Sequence, residues 1–296
     1  QNIDSLAATF RDRLKGQALG YAFPLLFDDA VRQVWEIRKA GLGVVANVVG
    51  DDKPTTLIED TAVSIEDLPA YIQQVNQLLQ EKYDVQCVHY AHVGAGEVHL
   101  RPILNLKSAE GVSRFRQIAS DVNEIVKEFR GSISGEHGDG RLRGEFIREM
   151  VGEQNYELFR QIKTIWDPRG IFNPGKIVDA PPMDAKLRYS SESRTRELTT
   201  TFDFSEQGGL QRAAELCSGS GDCRKTELSG GVMCPSYMAT RNEVDSTRAR
   251  ANVLRQVLSD DRLTEPLSDQ RLTQALDLCL SCKACKSECP SNVDMA

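Results

Sequence analysis

Four cysteines within the eleven residues 279–289 constrain this chain more than any other feature: Cys279-x2-Cys282-x2-Cys285-x3-Cys289, followed by Pro290. At this spacing three thiolates wrap one 4Fe–4S cluster, and the fourth, beside proline, points to another cluster. A zinc site would use separated knuckles rather than four thiolates in one short run. Seven of the eight cysteines fall in residues 217–289. Such crowding suits metal ligation in a reducing compartment better than loop-closing disulfides. Upstream, Cys217-x5-Cys223-x10-Cys234-Pro235 forms a looser partner run. By the crossing rule, Cys234 joins Cys279, Cys282 and Cys285 on one 4Fe–4S cluster. Cys217, Cys223 and Cys289 then supply three ligands to the second. Three alternatives stay open there: a 3Fe–4S cluster, a non-cysteine ligand, or a ligand outside this chain. The remaining cysteine, Cys87, reads as a buried strand thiol rather than a distant ligand.

A chain of 296 residues, 40% apolar, can bury one or two cores, so two domains are expected. The net charge of -7 argues against nucleic acid as a partner, because phosphate binding needs clustered cations. No apolar run approaches the roughly 18 residues of a transmembrane segment, and the start carries no signal-peptide pattern. The expected location is the cytoplasm, with peripheral contact at the inner face of the membrane at most. The chain begins at Gln1 and runs seven residues past Cys289, so both ends read as cut from something longer.

The first part alternates helix and strand patterns. Residues 28–40 place Val31, Val34 and Trp35 on one helical face, with Gly41 as an expected C-terminal cap. Strand-like TTLIED (55–60) precedes a helix opened by Ser64, with Ile65, Leu68, Ile72, Val75 and Leu79 at helical spacing. VQCVHYAH (85–92) and VHLRPIL (98–104) read as strands around a glycine-bearing turn. A long amphipathic helix follows over 112–129, then a short strand-like GSISG at 131–135. Strand, helix, strand, strand, helix, strand is the order of a ferredoxin-like α+β domain, an antiparallel sheet with helices. A further helix near 153–166 runs into WDPRGIFNPGK, where prolines and glycines stop regular structure. The expected division is therefore a domain over 1–178, a linker over 179–209 and an all-α two-cluster ferredoxin domain over 210–296.

All four histidines lie within 89–137. If the hairpin turns at Ala95-Gly96, residue 92 pairs with 99. His92 and His99 then share a face with Cβ atoms roughly 5 Å apart, a good bite for one divalent metal. Glu136, on a glycine-flanked loop, is a candidate third ligand, which leaves His137 free for proton transfer. On residues alone, a metal site and a pair of hydrogen-bonding histidines in a polar strand pair are equal alternatives.

HYAHVGAGEVHLRP, SGEHGDGRLRGEF and WDPRGIFNPGKI, in this order, resemble the C-terminal cap domain of FAD-linked 2-hydroxyacid oxidoreductases, the vanillyl-alcohol-oxidase-like flavoproteins. That family includes D-lactate and D-2-hydroxyglutarate dehydrogenases and the glycolate oxidase flavin subunit. CRKTELSGGVMCPSYMATRNEVDSTRARA resembles the iron–sulfur domain fused to its large bacterial members. The resemblance implies that His92, His99 and Glu136 bind zinc or manganese and that His137 is the catalytic base. It also implies that Asn173 and Lys176 lie near the flavin or the substrate. Ala95 departs from the family, where many members have Asp in a Gly-Asp-Gly turn; the turn, not the ligands, should change. The glycine-rich phosphate loop of a flavin-binding domain does not occur in this sequence. FAD would thus be held mainly by a separate domain that precedes the cap.

The resemblance implies a flavin and iron–sulfur oxidoreductase that oxidises a 2-hydroxy acid such as D-lactate, glycolate or D-2-hydroxyglutarate. Its electrons would leave through the clusters to an acceptor such as quinone. Two other classes compete: an electron-carrier subunit docking to a separate flavoprotein, and a scaffold held by structural zinc and clusters. A carrier has no use for a His-His-Glu set, which is the feature that discriminates. Trp35, Arg38 and Arg101 are further candidates for pocket or interface roles.

Overall fold

The computed structural model describes residues 2–191 and 193–295, and the side chain of Leu42 is not among them. The chain divides into two compact units, Gln1–Leu42 and Gly43–Ala296. In the first, helix α1 (Ile3–Gly16) is capped by the Asn2 side chain, which accepts from the Asp4 amide. Helix α2 (Asp29–Ala46) does not end at Gly41 as the sequence suggested. An interior glycine costs a helix only about 1 kcal/mol, so it weakens α2 without stopping it. Trp35 is exposed, with the Arg38 guanidinium 5.5 Å from its ring centroid.

The second unit is organised by one strand. β4 (Glu97–Leu104) lies between β3 (Cys87–His92) on one edge and, on the other, the short β1 (Lys53–Pro54) followed by β2 (Ile58–Ala62). All pairings are antiparallel. Alternation along β4 sends Val98, Leu100 and Leu104 into the core and Glu97, His99 and Arg101 to the other face. Helices α3 (Leu68–Gln77) and α4 (Ala109–Glu128) supply the rest of that core through Tyr71, Val75, Phe115, Ile118, Val122 and Val126. Ser108 starts α4 by accepting from the Gly111 amide. The buried Tyr71 hydroxyl donates to Thr61 Oγ1 at 2.8 Å, which satisfies its one polar atom.

The expected fourth strand at 131–135 is reduced to a single antiparallel bridge between Ser132 and Ala62. Beyond it the backbone of Gly135 turns toward Asp60, donating to its carbonyl at 2.7 Å, so the segment leaves the ladder after one pair. α5 (Ile147–Val151) and α6 (Glu153–Trp166) follow. Asp167 then pins the loop after α6, accepting from the Ile171 and Phe172 amides and from Lys163.

The described residues of 179–204 carry no helix or strand, yet the segment is tied down on both sides. Met183 packs into the sheet core, and Leu198 packs against α9 (Thr247–Leu258) and α10 (Gln270–Leu276). The C-terminal region is helical: α7 (Leu210–Glu215), α8 (Pro235–Thr240), α9, α10 and α11 (Ala284–Glu288). Among the described residues no helix is long and apolar enough to cross a membrane.

Candidate metal centre and cluster chambers

The polar face of the sheet gathers the histidines, though not by the expected register. His92 pairs with Glu97, and His99 pairs with Tyr90. The connection is a turn over Val93–Ala95 closed by Gly96 at φ 72. A side chain at 96 would come within 2.1 Å of the Val63 carbonyl oxygen, so only glycine fits there. The register differs by two residues from the one inferred. Because side chains alternate with period two, an even shift leaves His92 and His99 on the same face. Their ring centroids are 5.1 Å apart, edge to face.

Glu136 and His137 arrive from the loop after α4. Glu136 Oε1 lies 3.5 Å from His92 Nε2 and 3.4 Å from His137 Nε2. The His137 ring stacks on His99, centroids 5.1 Å apart and 6° from parallel. His92, His99 and Glu136 each offer a ligand atom within 4.8 Å of the others. His137 belongs to two further groups of that kind, with Glu59 and His99 and with Asp60 and Glu136. His99 forms the floor at 6% exposed, while His92, Glu136 and His137 stand at the open rim. The Nδ1 atom of His99 is buried without a hydrogen-bond partner. Two imidazoles and a carboxylate with one orphaned ring nitrogen are a donor set that suits a divalent ion.

Residues not singled out from sequence hold this loop in place. Asp60 sits at a bulge between Glu59 and Thr61, with φ 88 and no exposed surface. Its carboxylate accepts from the Glu136 amide at 2.9 Å, the His137 amide at 2.8 Å and Ser134 Oγ at 2.5 Å. Glu97 shares a hydrogen bond with Asp60, and that contact, with burial, pushes its carboxyl up to about 7. The Asp60 carboxyl is held well below the usual range, by the hydrogen bonds from Glu97, Ser134 and the two amides against the cost of burial. Arg143 straps the loop by donating to the Glu59 and Gly138 carbonyls. Glu59 in turn holds Arg101 through two hydrogen bonds, at 2.9 and 2.6 Å. The acid pair in TTLIED was the only sequence signal for Glu59 and Asp60. A bulge that turns an acid inward leaves no periodic trace.

Other candidates fall elsewhere. Asn173 (φ 47) and Lys176 lie on the loop after α6, and no described side-chain contact joins them to the histidines. His89 points away and bonds Asn76 at 2.7 Å. Cys87 packs against the sheet core, where burial pushes its thiol up to about 12, and it lines neither chamber described next.

The seven C-terminal cysteines line two chambers. One is bordered by Cys234, Cys279, Cys282 and Cys285. The other is bordered by Cys217, Cys223 and Cys289. Met233 and Thr247 border both, so a single wall separates them. Burial pushes the Cys223, Cys285 and Cys289 thiols up. Yet N–H donors point at the sulfurs: the Arg248 amide at Cys223 Sγ (3.3 Å) and the Met295 amide at Cys285 Sγ (3.4 Å). Arg250, 1% exposed, donates to Cys234 Sγ at 3.0 Å and to the Ala275 carbonyl, while its Nη2 has no partner. A buried cation with an orphaned donor at the wall needs a nearby anion, and a thiolate-ligated cluster fits that requirement.

Comparison with known proteins agrees in both halves. The family described as FAD linked oxidases, C-terminal domain, matches residues 5–177. The 4Fe-4S dicluster domain matches residues 216–294. The chain is 31% identical over 304 residues to D-2-hydroxyglutarate dehydrogenase of Haemophilus influenzae, covering 90% of this chain and 29% of that protein. It is 27% identical to the enzyme of the same name in Escherichia coli, with 90% and 29% coverage. It is also 27% identical over 157 residues to glycolate oxidase subunit GlcD of Bacillus subtilis, covering 53% of this chain and 32% of that protein. The chain thus spans about three tenths of the length of the curated relatives it matches.

Proposed function

The chain belongs to the family of FAD-linked oxidase C-terminal domains, whose match spans more than half of its length, and from that premise we propose that it forms the substrate-side and electron-exit parts of a flavin-dependent 2-hydroxyacid dehydrogenase. The observation that carries the reading is the convergence of His92, His99, Glu136 and His137 on the open face of the sheet. His92, His99 and Glu136 are assigned as ligands of one zinc or manganese ion. Such an ion supplies a Lewis acid for the hydroxyl and carboxylate of the substrate and lowers the hydroxyl pKa. His137, on the exposed rim, is assigned as the base that accepts the hydroxyl proton. Asp60 keeps its backbone in place, and the stacked His99 ring keeps its side chain upright. FAD, bound mainly by a separate domain, supplies the hydride acceptor. Asn173 and Lys176 are assigned to its border or to the substrate pocket.

The substrate class follows the printed names of the relatives: D-2-hydroxyglutarate, glycolate and D-lactate. The thiolates of Cys234, Cys279, Cys282 and Cys285 are assigned to one cluster and those of Cys217, Cys223 and Cys289 to the other, and together the clusters carry electrons singly toward an acceptor such as quinone. In this reading residues 1–178 form a cap and 179–209 a linker, while 210–296 form the iron–sulfur domain. A ferredoxin-like cap is supported by the neighbour order: segment 131–135, β2, β4, β3. A cytoplasmic protein, peripheral at the membrane where it meets its acceptor, completes the proposal. A carrier subunit without catalysis would leave the histidine and carboxylate face without a purpose.

Two measurements test this. Zinc or manganese titrated into the chain should bind in about one equivalent, and Glu136→Gln should weaken that binding. In the flavin-containing protein, dye reduction should appear with 2-hydroxy acids of one hand. Equal metal binding by wild type and Glu136→Gln would sink the ligand assignment, and failure to reduce dye with any 2-hydroxy acid would sink the substrate class.

A further inference from the structure

The two cysteine runs are built on the same frame, and one position breaks the match. Reading Cys279-x2-Cys282-x2-Cys285 against the upstream run gives Cys217-x2-Ser220-x2-Cys223. Each run ends in a Cys-Pro pair, Cys289-Pro290 and Cys234-Pro235, whose cysteine lines the other run's chamber. The exchange is symmetric, so Ser220 stands where Cys282 stands.

The backbone makes the equivalence physical. Cys282 lies between two residues in the left-handed region, Ser281 at φ 48 and Lys283 at φ 63. Ser220 lies between Gly219 at φ 82 and Gly221 at φ 84. In both loops, then, the middle residue is flanked on each side by a residue in the left-handed region. Ser220, exposed like Cys282, lines the chamber of Cys217, Cys223 and Cys289, and its hydroxyl has no hydrogen-bond partner among the described residues. The neighbouring Ser218 hydroxyl, by contrast, is engaged with Ser291 Oγ at 2.7 Å.

We propose that Ser220 occupies the fourth ligand corner of the second chamber, so that its cluster is held by three thiolates and one hydroxyl oxygen. This rests on the iron–sulfur reading above and goes beyond it by assigning the missing corner and its behaviour. A serine oxygen is a harder donor than thiolate and must lose a much less acidic proton to bind as an anion, so it holds iron less firmly. The iron at Ser220 is therefore the exchangeable one. With a one-electron oxidant such as ferricyanide the balance is [4Fe–4S]2+ going to [3Fe–4S]+ plus Fe2+ plus one electron, the electron passing to the oxidant and the serine oxygen regaining its proton from water. Ferrous ion and a reductant reverse it.

The test uses the whole chain with its clusters assembled anaerobically, and it reads iron content and electron paramagnetic resonance rather than activity. On ferricyanide treatment wild type should lose about one iron of roughly eight per chain and gain the signal of an oxidised 3Fe–4S cluster. Ser220→Cys should keep that iron and lack the signal. Ser220→Ala should already be short of that iron before any oxidant is added, and should give the signal once it is oxidised. Asp222→Asn, at another exposed polar side chain of this loop, should behave as wild type. The first-chamber cluster reports in every sample that the domain has folded. Wild type that keeps all its iron, or iron loss governed by Asp222 rather than Ser220, would overturn the assignment while leaving the two-cluster reading intact. A chain that takes up no iron–sulfur cluster would overturn both, and the absorption spectrum separates the two failures.

Discussion

At the scale of single residues, the neighbours Glu136 and His137 are proposed to have different tasks, and substitution should separate them. Glu136→Gln removes the one anionic ligand, so bound metal should fall and added metal should restore part of the rate. His137→Ala leaves the metal in place but removes the proton acceptor, a loss of about 10²–10⁴-fold in rate that metal does not rescue. Metal content and dye-reduction rate on the same samples of flavin-containing protein decide it; metal loss in His137→Ala with retention in Glu136→Gln would reverse the roles. Asp60 acts through the loop rather than on substrate. Asp60→Asn should weaken metal binding by about 10–100-fold, the usual effect of losing a partner that orients ligands, and chelator competition measures it. Unchanged affinity would mean that the loop holds itself. The convergence of His92, His99 and Glu136 was legible because an even register error preserves faces. Asp60 was not, since its role comes from one bulged residue at φ 88 that no spacing rule announces.

At the scale of elements, long periodic segments were readable and short ones were not. α4 follows its apolar spacing and α6 forms where a helix was expected near 153–166, while α9 is capped by the Ser246 side chain, which accepts from the Ala249 amide. The fourth strand failed because a five-residue segment with two glycines has little to pair with once Asp60 draws its backbone away. The C-terminal helices are short: α7, α8, α10 and α11 have 6, 6, 7 and 5 residues. Helices that short are not stable alone in water, where roughly 12–15 residues is already marginal. The buried cluster of Cys223, Met233, Cys234, Tyr237, Ala284 and Cys285 has thiols where a larger domain would have aliphatic side chains. Removing iron with chelator and reductant should therefore unfold residues 210–296, seen as lost helical circular dichroism and new protease cleavage confined to that region. Full helicity and protease resistance in the iron-free chain would show that the helices hold without the clusters.

At the scale of the second unit, the sheet and the cysteine-bearing helices are joined by charge rather than by a shared apolar core. Lys107, just after β4, donates to Asp51 at 2.8 Å, Thr195 at 2.9 Å and Glu215 of α7 at 2.7 Å, with its side chain only 7% exposed. Arg212, also of α7, grips Asp51 with two bonds, at 3.1 and 2.7 Å. Tyr189, from the segment read as a plain linker, is inserted here with Lys107, Arg188 and Arg255 at 5.1–5.6 Å from its ring. Composition described that segment as a linker because its anchors are single residues without a period. The Arg212 hydrogen bond, opposed by burial and helped by Lys107, holds the Asp51 carboxyl well below the usual carboxylate range. A depressed carboxyl stabilises the fold fully above its unfolded value of about 4, and that stabilisation is lost as pH falls from there toward the folded value. The stability of wild type should thus fall below about pH 4 more steeply than that of Asp51→Asn, which has no carboxylate to titrate. Lys107→Met at neutral pH leaves Glu215 buried without its cation, and breaking a buried pair in this way costs about 3–5 kcal/mol. Denaturant unfolding at several pH values on the three proteins measures both effects. Parallel pH profiles for wild type and Asp51→Asn, or a Lys107→Met chain as stable as wild type, would show that the contact is a solvated surface network and that the two regions are held together by something else.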